Sequence, residues 1–263
     1  MQRSRSLCLT LVGLLGLLPA RLAAQDPPAP KDGDKEVAEK VATLKDIVGD
    51  RKCSRDDEGI EVIDALLQKL QAGVGPKDQQ AITKGLDGVL STGKLRQPEN
   101  MRLYVGAAAA LGYCGEDGAK SLKKAYTTKR FPDKKPWVPL REQLLKAVGR
   151  TKDESMVKFL CDEARRSPEA ALQAAAGEAL GNFEQSEEKV RKDIVSDLLI
   201  KYGELSELAS QMGSSNIEAQ NARDRLAALS DKWNTTLAKL TKQNFHKFGD
   251  WQTWYNKNKN EKW

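Results

Sequence analysis

The feature that most constrains the fold of this chain is a helical segment that recurs at a regular spacing. Three segments are rich in small residues and end in an aliphatic residue followed by glycine: residues 107–112, 144–149 and 174–181. The terminal glycines lie 37 and 32 residues apart, and a short polar turn and a second amphipathic helix follow each segment. A period of about 30–40 residues with two helices per unit indicates an α-solenoid.

The repeat extends towards the N-terminus in a weaker form. Val48-Gly49 lies 63 residues before Gly112, and residues 81–90 are the candidate degenerate copy between them. Apolar side chains at helical spacing mark two helices in this region: Val37, Val41, Leu44 and Val48, then Ile60, Ile63, Leu67 and Leu70. We expect each terminal glycine to adopt a left-handed turn that reverses the chain, and the small residues to let helices pack closely.

These segments resemble the HEAT and HEAT-like (phycobilisome-lyase-type) repeat family over residues 35–183. The resemblance rests on paired helices and on three Leu/Val-Gly helix ends: 111–112, 148–149 and 180–181. It implies an α-solenoid that serves as a binding scaffold. After the three glycines the family usually has an aspartate or a proline, and this chain has other residues: Tyr113, Arg150 and Asn182. The number and register of the repeats therefore stay open, and an irregular helical bundle is the alternative.

The C-terminal part, residues 184–263, has a longer helical pattern. Apolar side chains recur at steps of three and four from Val190 to Met212 and again from Leu226 to Leu240, with a turn at residues 213–216 between them. This spacing predicts a long antiparallel helical hairpin that caps the solenoid. Strand signals are nearly absent. The predicted fold is therefore all-α, an α-solenoid of HEAT-like helical hairpins followed by a long C-terminal helical hairpin.

The N-terminus has the pattern of a secretory signal peptide over residues 1–24. Two arginines precede an apolar run from Leu7 to Leu18, and small residues lead to the expected cleavage after Ala24. The run is shorter than the ~20 residues that span a bilayer, so an uncleaved anchor is the weaker interpretation. Residues 25–34 hold three prolines and read as a flexible linker. We expect a secreted or periplasmic protein with no membrane span in the mature chain.

Basic side chains are concentrated between Lys120 and Lys152. This segment holds eleven Lys and Arg against Asp133 and Glu142, a local net charge of +9, whereas the whole chain has +6. Inside it, residues 131–139 form a proline-rich loop between helices. The candidate binding residues are the bases and aromatics of this loop: Lys129, Arg130, Phe131, Lys134, Lys135 and Trp137.

Such a loop can recognise an acidic surface or a polyanion. The alternative is a solvated basic face with Trp137 packed against the protein. DNA is not expected as a partner of a secreted protein.

Aromatic side chains gather at the C-terminus. Four of the five tryptophans lie there: Trp233, Trp251, Trp254 and Trp263. Exposed tryptophans would stack on sugar rings and indicate a glycan ligand, and the alternative is a buried cap. The tail is loosely similar to tails of secreted HEAT-like bacterial proteins.

The residues with catalytic chemistry are few. His246 is the only histidine and has no motif that would supply a nucleophile or a carboxylate partner. Phosphate-binding glycine loops, EF-hand loops and zinc-helix motifs are also missing from the sequence. The acids at residues 56–58 read as the first turn of a helix. We therefore predict no catalytic residue, no metal site and no cofactor. A lyase-like enzyme remains an alternative by family resemblance alone.

Three cysteines remain after signal-peptide cleavage: Cys53, Cys114 and Cys161. The number is odd, so at least one of them is free or pairs between chains. Cys114 closes one repeat helix and Cys161 lies in the second helix of the next unit, which places them near one another. A disulfide between these two is one hypothesis, and buried free thiols are the alternative.

Taken together, these patterns predict an exported, non-catalytic scaffold that binds a protein partner through its helical-repeat surface or its basic loop. The alternative function is a polyanion- or glycan-binding envelope protein that uses the basic proline loop or the tryptophan tail.

Overall fold

The computed structural model describes residues 31–211 and 217–263, and this part of the chain forms α-helices and short 3-10 turns without any strand. The all-α prediction is therefore confirmed. The helices in chain order are α1 Lys35–Gly49, α2 Asp56–Ala72, α3 Pro76–Ser91, α4 Arg102–Leu111, α5 Gly115–Thr127, α6 Val138–Arg150, α7 Val157–Arg166, α8 Ala170–Leu180, α9 Glu188–Ser210, α10 Ile217–Thr241 and α11 Phe248–Asn258. The predicted signal peptide at 1–24, most of the linker and the turn at 213–216 lie outside the described residues.

The helices pair and stack in a regular order. Each odd-numbered helix up to α9 packs on the even-numbered helix that follows it. In addition, α2, α4, α6, α8 and α10 pack each on the next, and α1 packs on α3, α3 on α5 and α7 on α9. We call these two sets the even row and the odd row. Between α5 and α7, the Tyr126 hydroxyl donates to the Glu163 carboxylate at 2.6 Å. Among the helices that the structure describes, none combines the length and apolar character needed to cross a membrane.

The first helix begins at a cap made by the end of the predicted linker. The Asp34 carboxylate accepts a hydrogen bond from the Glu36 amide at 2.9 Å and thereby caps α1. Asp78 accepts from the amides of Gly33 and Asp34, and Asp32 accepts from the Lys77 amide at 2.8 Å. Residues 32–34 are therefore fixed against the start of α3, in contrast to the flexible linker that their composition indicates.

The predicted apolar stripe of α1 lies in the core, whereas the buried face of α2 is rotated relative to its predicted stripe. Val37, Leu44 and Val48 of α1 are buried, as their spacing predicts. In α2 the fully buried apolar side chains are Ile63 and Leu66. The other members of the predicted stripe are half-buried: Ile60, Leu67 and Leu70. Helix α2 packs against both α1 and α4, and Gly59 faces Ile47 of α1 and Leu103 of α4 together.

The glycines that end the repeated segments have a different role from the expected one. Gly112 and Gly181 have φ of −59° and −65°, and both lie in the right-handed helical region. The expectation of a left-handed turn is therefore wrong. A β-carbon on Gly112 would approach the Ala147 carbonyl oxygen to 3.2 Å, and one on Gly181 would approach the Thr236 hydroxyl to 3.0 Å. A residue without a side chain is favoured at these positions because the next helix of the even row lies directly against them.

The packing of the helices shows which copies of the sequence repeat occupy equivalent positions in the fold. The copies ending at 112, 149 and 181 belong to α4, α6 and α8 of the even row. Val48-Gly49 ends α1, and residues 81–90 lie in α3, so both belong to the odd row. The helix of the even row before α4 is α2, which ends in Ala72. The two weaker copies are therefore not equivalent to the three strong ones.

The long C-terminal helices α9 and α10 continue the two rows. The Trp233 ring of α10 lies over Gly177 of α8, and its indole N–H donates to the Gln173 carbonyl at 3.3 Å. The Thr236 hydroxyl donates to the Gly177 carbonyl at 2.9 Å. The fold therefore runs without interruption through the expected boundary at residues 183–184, and α11 then packs on α9.

Candidate functional site

Three loops that each connect the two helices of a hairpin contact one another and form one edge of the molecule. They are residues 50–55, 92–101 and 128–137, which we call the basic edge. Arg96 of the second loop pairs with Asp56, directly after the first loop, at 2.8 Å. Arg130 of the third loop donates to the Thr92 carbonyl of the second at 2.6 Å.

Charge is distributed unequally between this edge and the opposite one. The basic edge carries nine Lys and Arg against three Asp and Glu, a net charge of +6. The connections between hairpins lie at the other ends of the helices, at residues 73–75, 112–114, 151–156 and 181–187. They carry one lysine against four acids, a net charge of −3. Helices α4 and α6 begin at the basic edge without an acid in their first turn, although a helix N-terminus favours negative charge. Helix α2 also begins at this edge and has three acids in its first turn, Asp56, Asp57 and Glu58, which pair with Arg55 and Arg96 or lie beside them. The uncompensated positive charge is therefore that of the third loop.

The two aromatic residues of the predicted binding loop are buried. Phe131 is 0% exposed and Trp137 is 6% exposed, and their ring centroids lie 5.3 Å apart. Phe131 also meets the Tyr104 ring of α4 edge-on at 5.0 Å. Phe131 and Trp137 are therefore not contact residues for a partner. They anchor the loop, because burial of their large apolar surface stabilises this position.

Two arginines hold the loop at its ends. Arg130 donates to the Thr92 and Gly93 carbonyls, and thereby satisfies groups at the end of α3. The buried Arg141 donates to the Tyr126 and Phe131 carbonyls at 2.9 and 3.0 Å. Its guanidinium also lies 3.9 Å from the centre of the Tyr126 ring. Both arginines bind the protein itself, so neither is free for a partner.

The remaining predicted binding residues are the lysines of the loop. Lys129, Lys134 and Lys135 are exposed, and none of them forms an ion pair with a residue that the structure describes. Asp133 is the only acid of the loop, and it lies 3.7 Å from the Arg141 guanidinium. The loop therefore presents three unpaired ammonium groups from a backbone that its buried side chains hold in place.

A cavity of about 410 Å³ lies between the first and second loops of the basic edge. The pair of the buried Arg96 and the half-buried Asp56 lines it, and the hydrogen-bonded Asp56 carboxylate raises the pKa of Arg96 above its ordinary value. Lys52, Cys53 and Leu95 also line it. Sequence reasoning missed this cavity because its walls come from loops 40 residues apart. The available signal was the charge of the loops, with Lys and Arg at 51, 52, 55, 94 and 96.

The hypothesised disulfide between Cys114 and Cys161 is not formed in the structure. Cys114 and Cys161 are both free and buried, and Cys53 is free and half-buried. Cys114 follows α4, where its thiol donates to the Ala110 carbonyl at 3.6 Å. Cys161 lies in α7, where burial and the nearby Asp197 raise the pKa of its thiol. The two thiols therefore have different neighbours, and the alternative of buried free thiols describes both.

The aromatic tail is mostly packed against the protein. Trp233 and Trp251 are fully buried, and the Trp251 indole donates to the Asn234 side chain at 2.9 Å. Trp254 and Trp263 are half-buried, with ring centroids 5.2 Å apart. Trp233 and Trp251 are therefore unavailable for stacking on a sugar. His246 is exposed, and its backbone carbonyl accepts from the Asn234 amide.

Residues 31–211 and 217–263 contain no group of three or more His, Cys, Asp or Glu that could hold a metal ion. No family model matches the sequence, and no curated protein sequence matches it.

Proposed function

We propose that this protein is an exported, non-catalytic scaffold that binds an acidic protein partner through its basic edge. In this proposal the hairpins form a HEAT-like α-solenoid. The stacking of α2, α4, α6, α8 and α10 supports this architecture, as do the glycines through which α4, α6 and α8 contact the next helix. The N-terminal charge and apolar pattern supports export.

The observation that carries the binding proposal is the state of three lysines. Lys129, Lys134 and Lys135 are exposed and unpaired within the described part of the chain, on a loop that Phe131, Trp137 and Arg141 hold in place. Unpaired charges of one sign steer a partner of the opposite sign and favour it over other partners. A loop already fixed in position loses little conformational entropy on binding.

The test is binding to immobilised poly-glutamate at low and at physiological ionic strength. The variant K129E/K134E/K135E reverses the three charges, and K158E/K189E/K257E makes the same change at exposed lysines of α7, α9 and α11. We expect the loop variant to lose about tenfold or more in affinity and the control variant to change by less than about threefold. Equal affinities for the two variants would reject the loop as the binding surface.

The second candidate function is polyanion binding by an envelope protein, and the same unpaired lysines favour it. Heparin serves as the probe in a parallel experiment. Salt-sensitive binding to heparin together with no binding to poly-glutamate would favour this alternative over an acidic protein partner. Glycan binding through the tryptophan tail has less support, because the indoles of Trp233 and Trp251 are buried.

A further inference from the structure

We propose that the cavity between residues 50–55 and 92–101 is a subsite for one aliphatic side chain of the acidic partner, with the partner's flanking carboxylates on Lys52 and Lys94. The inference rests on the proposed function and adds to it the sequence class of the partner segment. That segment is extended, acidic and interrupted by an aliphatic residue.

The cavity has mixed walls. Leu95 is 39% exposed and, with the half-buried Ile60, forms its apolar side. The rest of the lining is polar and includes Asp57, which pairs with Arg102 at 3.3 Å. Lys52 and Lys94 are exposed at its rim, and within the described part of the chain neither has a carboxylate partner. An apolar wall beside unpaired cations matches an aliphatic side chain that has carboxylates next to it.

The charges deeper in the cavity are already neutralised. Arg96 is 3% exposed and donates from Nε and Nη2 to the Asp56 carboxylate, with the Nη2 bond at 2.8 Å. Because Asp56 already neutralises this guanidinium, Arg96 attracts a further anion weakly. The partner's carboxylates therefore belong at the rim with Lys52 and Lys94, and Leu95 and Ile60 provide the apolar contact for an aliphatic side chain.

Both walls are held in place before a partner arrives. The Asp50 carboxylate accepts from the amides of Lys52 and Ser54 at 2.9 Å, and so fixes the first loop. Gly93 of the second loop has φ of +69°, and a β-carbon there would overlap the Val48 carbonyl oxygen of α1. The volume of about 410 Å³ is within the range of preformed ligand pockets, about 300–1,000 Å³.

The cavity lies next to the loop of residues 128–137, which we call the lysine loop. Thr92 and Gly93 accept the hydrogen bonds of Arg130, and the next residue, Lys94, lines the cavity. Lys129 directly precedes Arg130 in the sequence. One extended segment bound along the edge would thus meet the lysine loop and the cavity in turn.

The experiment compares two fluorescent peptides by anisotropy, each a run of glutamates with either leucine or serine at its centre. We expect the leucine peptide to bind wild-type protein about tenfold more tightly than the serine peptide. The variant Leu95→Ser should remove this preference. Ile200→Ser, at an exposed aliphatic residue of α9, should keep it and serves as the matched control. Circular dichroism confirms that both variants are folded.

Cys53 provides a second measurement that does not depend on a substitution. It lines the cavity and is the half-buried thiol, whereas Cys114 and Cys161 are buried. We expect saturating leucine peptide to slow alkylation of Cys53 by iodoacetamide by about tenfold.

Three outcomes separate the claims. Equal affinities for the two peptides, with an unchanged alkylation rate and with binding still lost in K129E/K134E/K135E, would overturn the subsite and leave the lysine loop as the binding surface. Binding of neither peptide would reject the proposed function and the subsite with it. A preference for leucine that survives in Leu95→Ser would also overturn the subsite.

Discussion

The carbonyl oxygen of Ala179 occupies the space that a β-carbon on Gly149 would need. This contact joins α6 to α8 through backbone atoms, and Gly112 and Gly181 make corresponding contacts with α6 and α10. The repeated glycine is therefore a contact point between successive helices of the even row. The glycine recurs once per helical hairpin because each copy contacts the next helix of the even row.

The first prediction is that Gly149→Ala destabilises the fold by about 2–3 kcal/mol. The new methyl group would overlap the Ala179 backbone, and two packed helices would have to separate to admit it. Urea unfolding followed by circular dichroism measures the change. Gly49→Ala at the end of α1 is the control, because a β-carbon there meets no atom within 4 Å. An equal cost for the two variants would contradict the role given to Gly149.

The second prediction concerns the support of the lysine loop. Arg141→Met would leave the buried Tyr126 and Phe131 carbonyls without a donor, and we expect a cost of about 2–4 kcal/mol. We also expect faster trypsin cleavage after Lys129 and Lys134; Lys135 is followed by Pro136 and is not a trypsin site. The control is Arg166→Met, whose side chain is 75% exposed and whose ion pair with Asp162 is 3.8 Å long. We expect this variant to stay within about 0.5 kcal/mol of wild type. Cleavage at an unchanged rate in Arg141→Met would show that the loop does not depend on this arginine.

The third prediction concerns the thiols. Native protein at pH 8 should alkylate at Cys53 alone, and urea should expose Cys114 and Cys161. Mass spectrometry of unreduced, alkylated protein identifies each site, and a pair of thiols that alkylates only after reduction would show a disulfide instead.

The same thiols make stability depend on pH. Burial, together with Asp197, raises the pKa of Cys161 above its value in the unfolded chain. The stabilisation by the neutral thiol is therefore complete below the unfolded pKa of about 8.5 and is lost as pH rises from there towards the folded pKa. We expect Cys161→Ala to weaken the fall in stability between pH 8 and pH 10. A fall that stays the same in this variant would assign the dependence to other groups.

The fourth prediction concerns the tryptophans. Because Trp233 and Trp251 are fully buried, most of the intrinsic fluorescence should be blue-shifted and resistant to acrylamide. The variant W254F/W263F should remove most of the fraction that acrylamide quenches, because these two indoles are half-buried. Strong quenching that persists in this variant would place a buried indole in contact with solvent and revive the glycan interpretation.

The parts of the fold that sequence reasoning predicted are those that depend on local periodicity. The stripe of Val37, Leu44 and Val48 and the long helices α9 and α10 follow from apolar spacing alone. The role of Gly112 and Gly181 did not follow, because close approach and a left-handed turn both require a residue without a β-carbon. Only the contact with the next helix separates the two explanations.

The candidate site was predicted only where its features follow from the local sequence. The charge of the loop at residues 128–137 is visible in a linear count, and so are its exposed lysines. Phe131 packs on Tyr104, which lies about 30 residues earlier in the chain, and Trp137 packs on Phe131. The cavity depends on a pair between Asp56 and Arg96, and no local pattern brings these two together.

The central claim is that the basic edge binds an acidic partner while the opposite edge does not. Backbone hydrogen–deuterium exchange of the full chain, with and without the leucine-centred glutamate peptide, tests it most directly. We predict slower exchange at residues 50–55, 92–101 and 128–137, and unchanged exchange at residues 112–114 and 181–187. Protection centred on the opposite edge, or none at residues 128–137 when the peptide is bound, would contradict the claim.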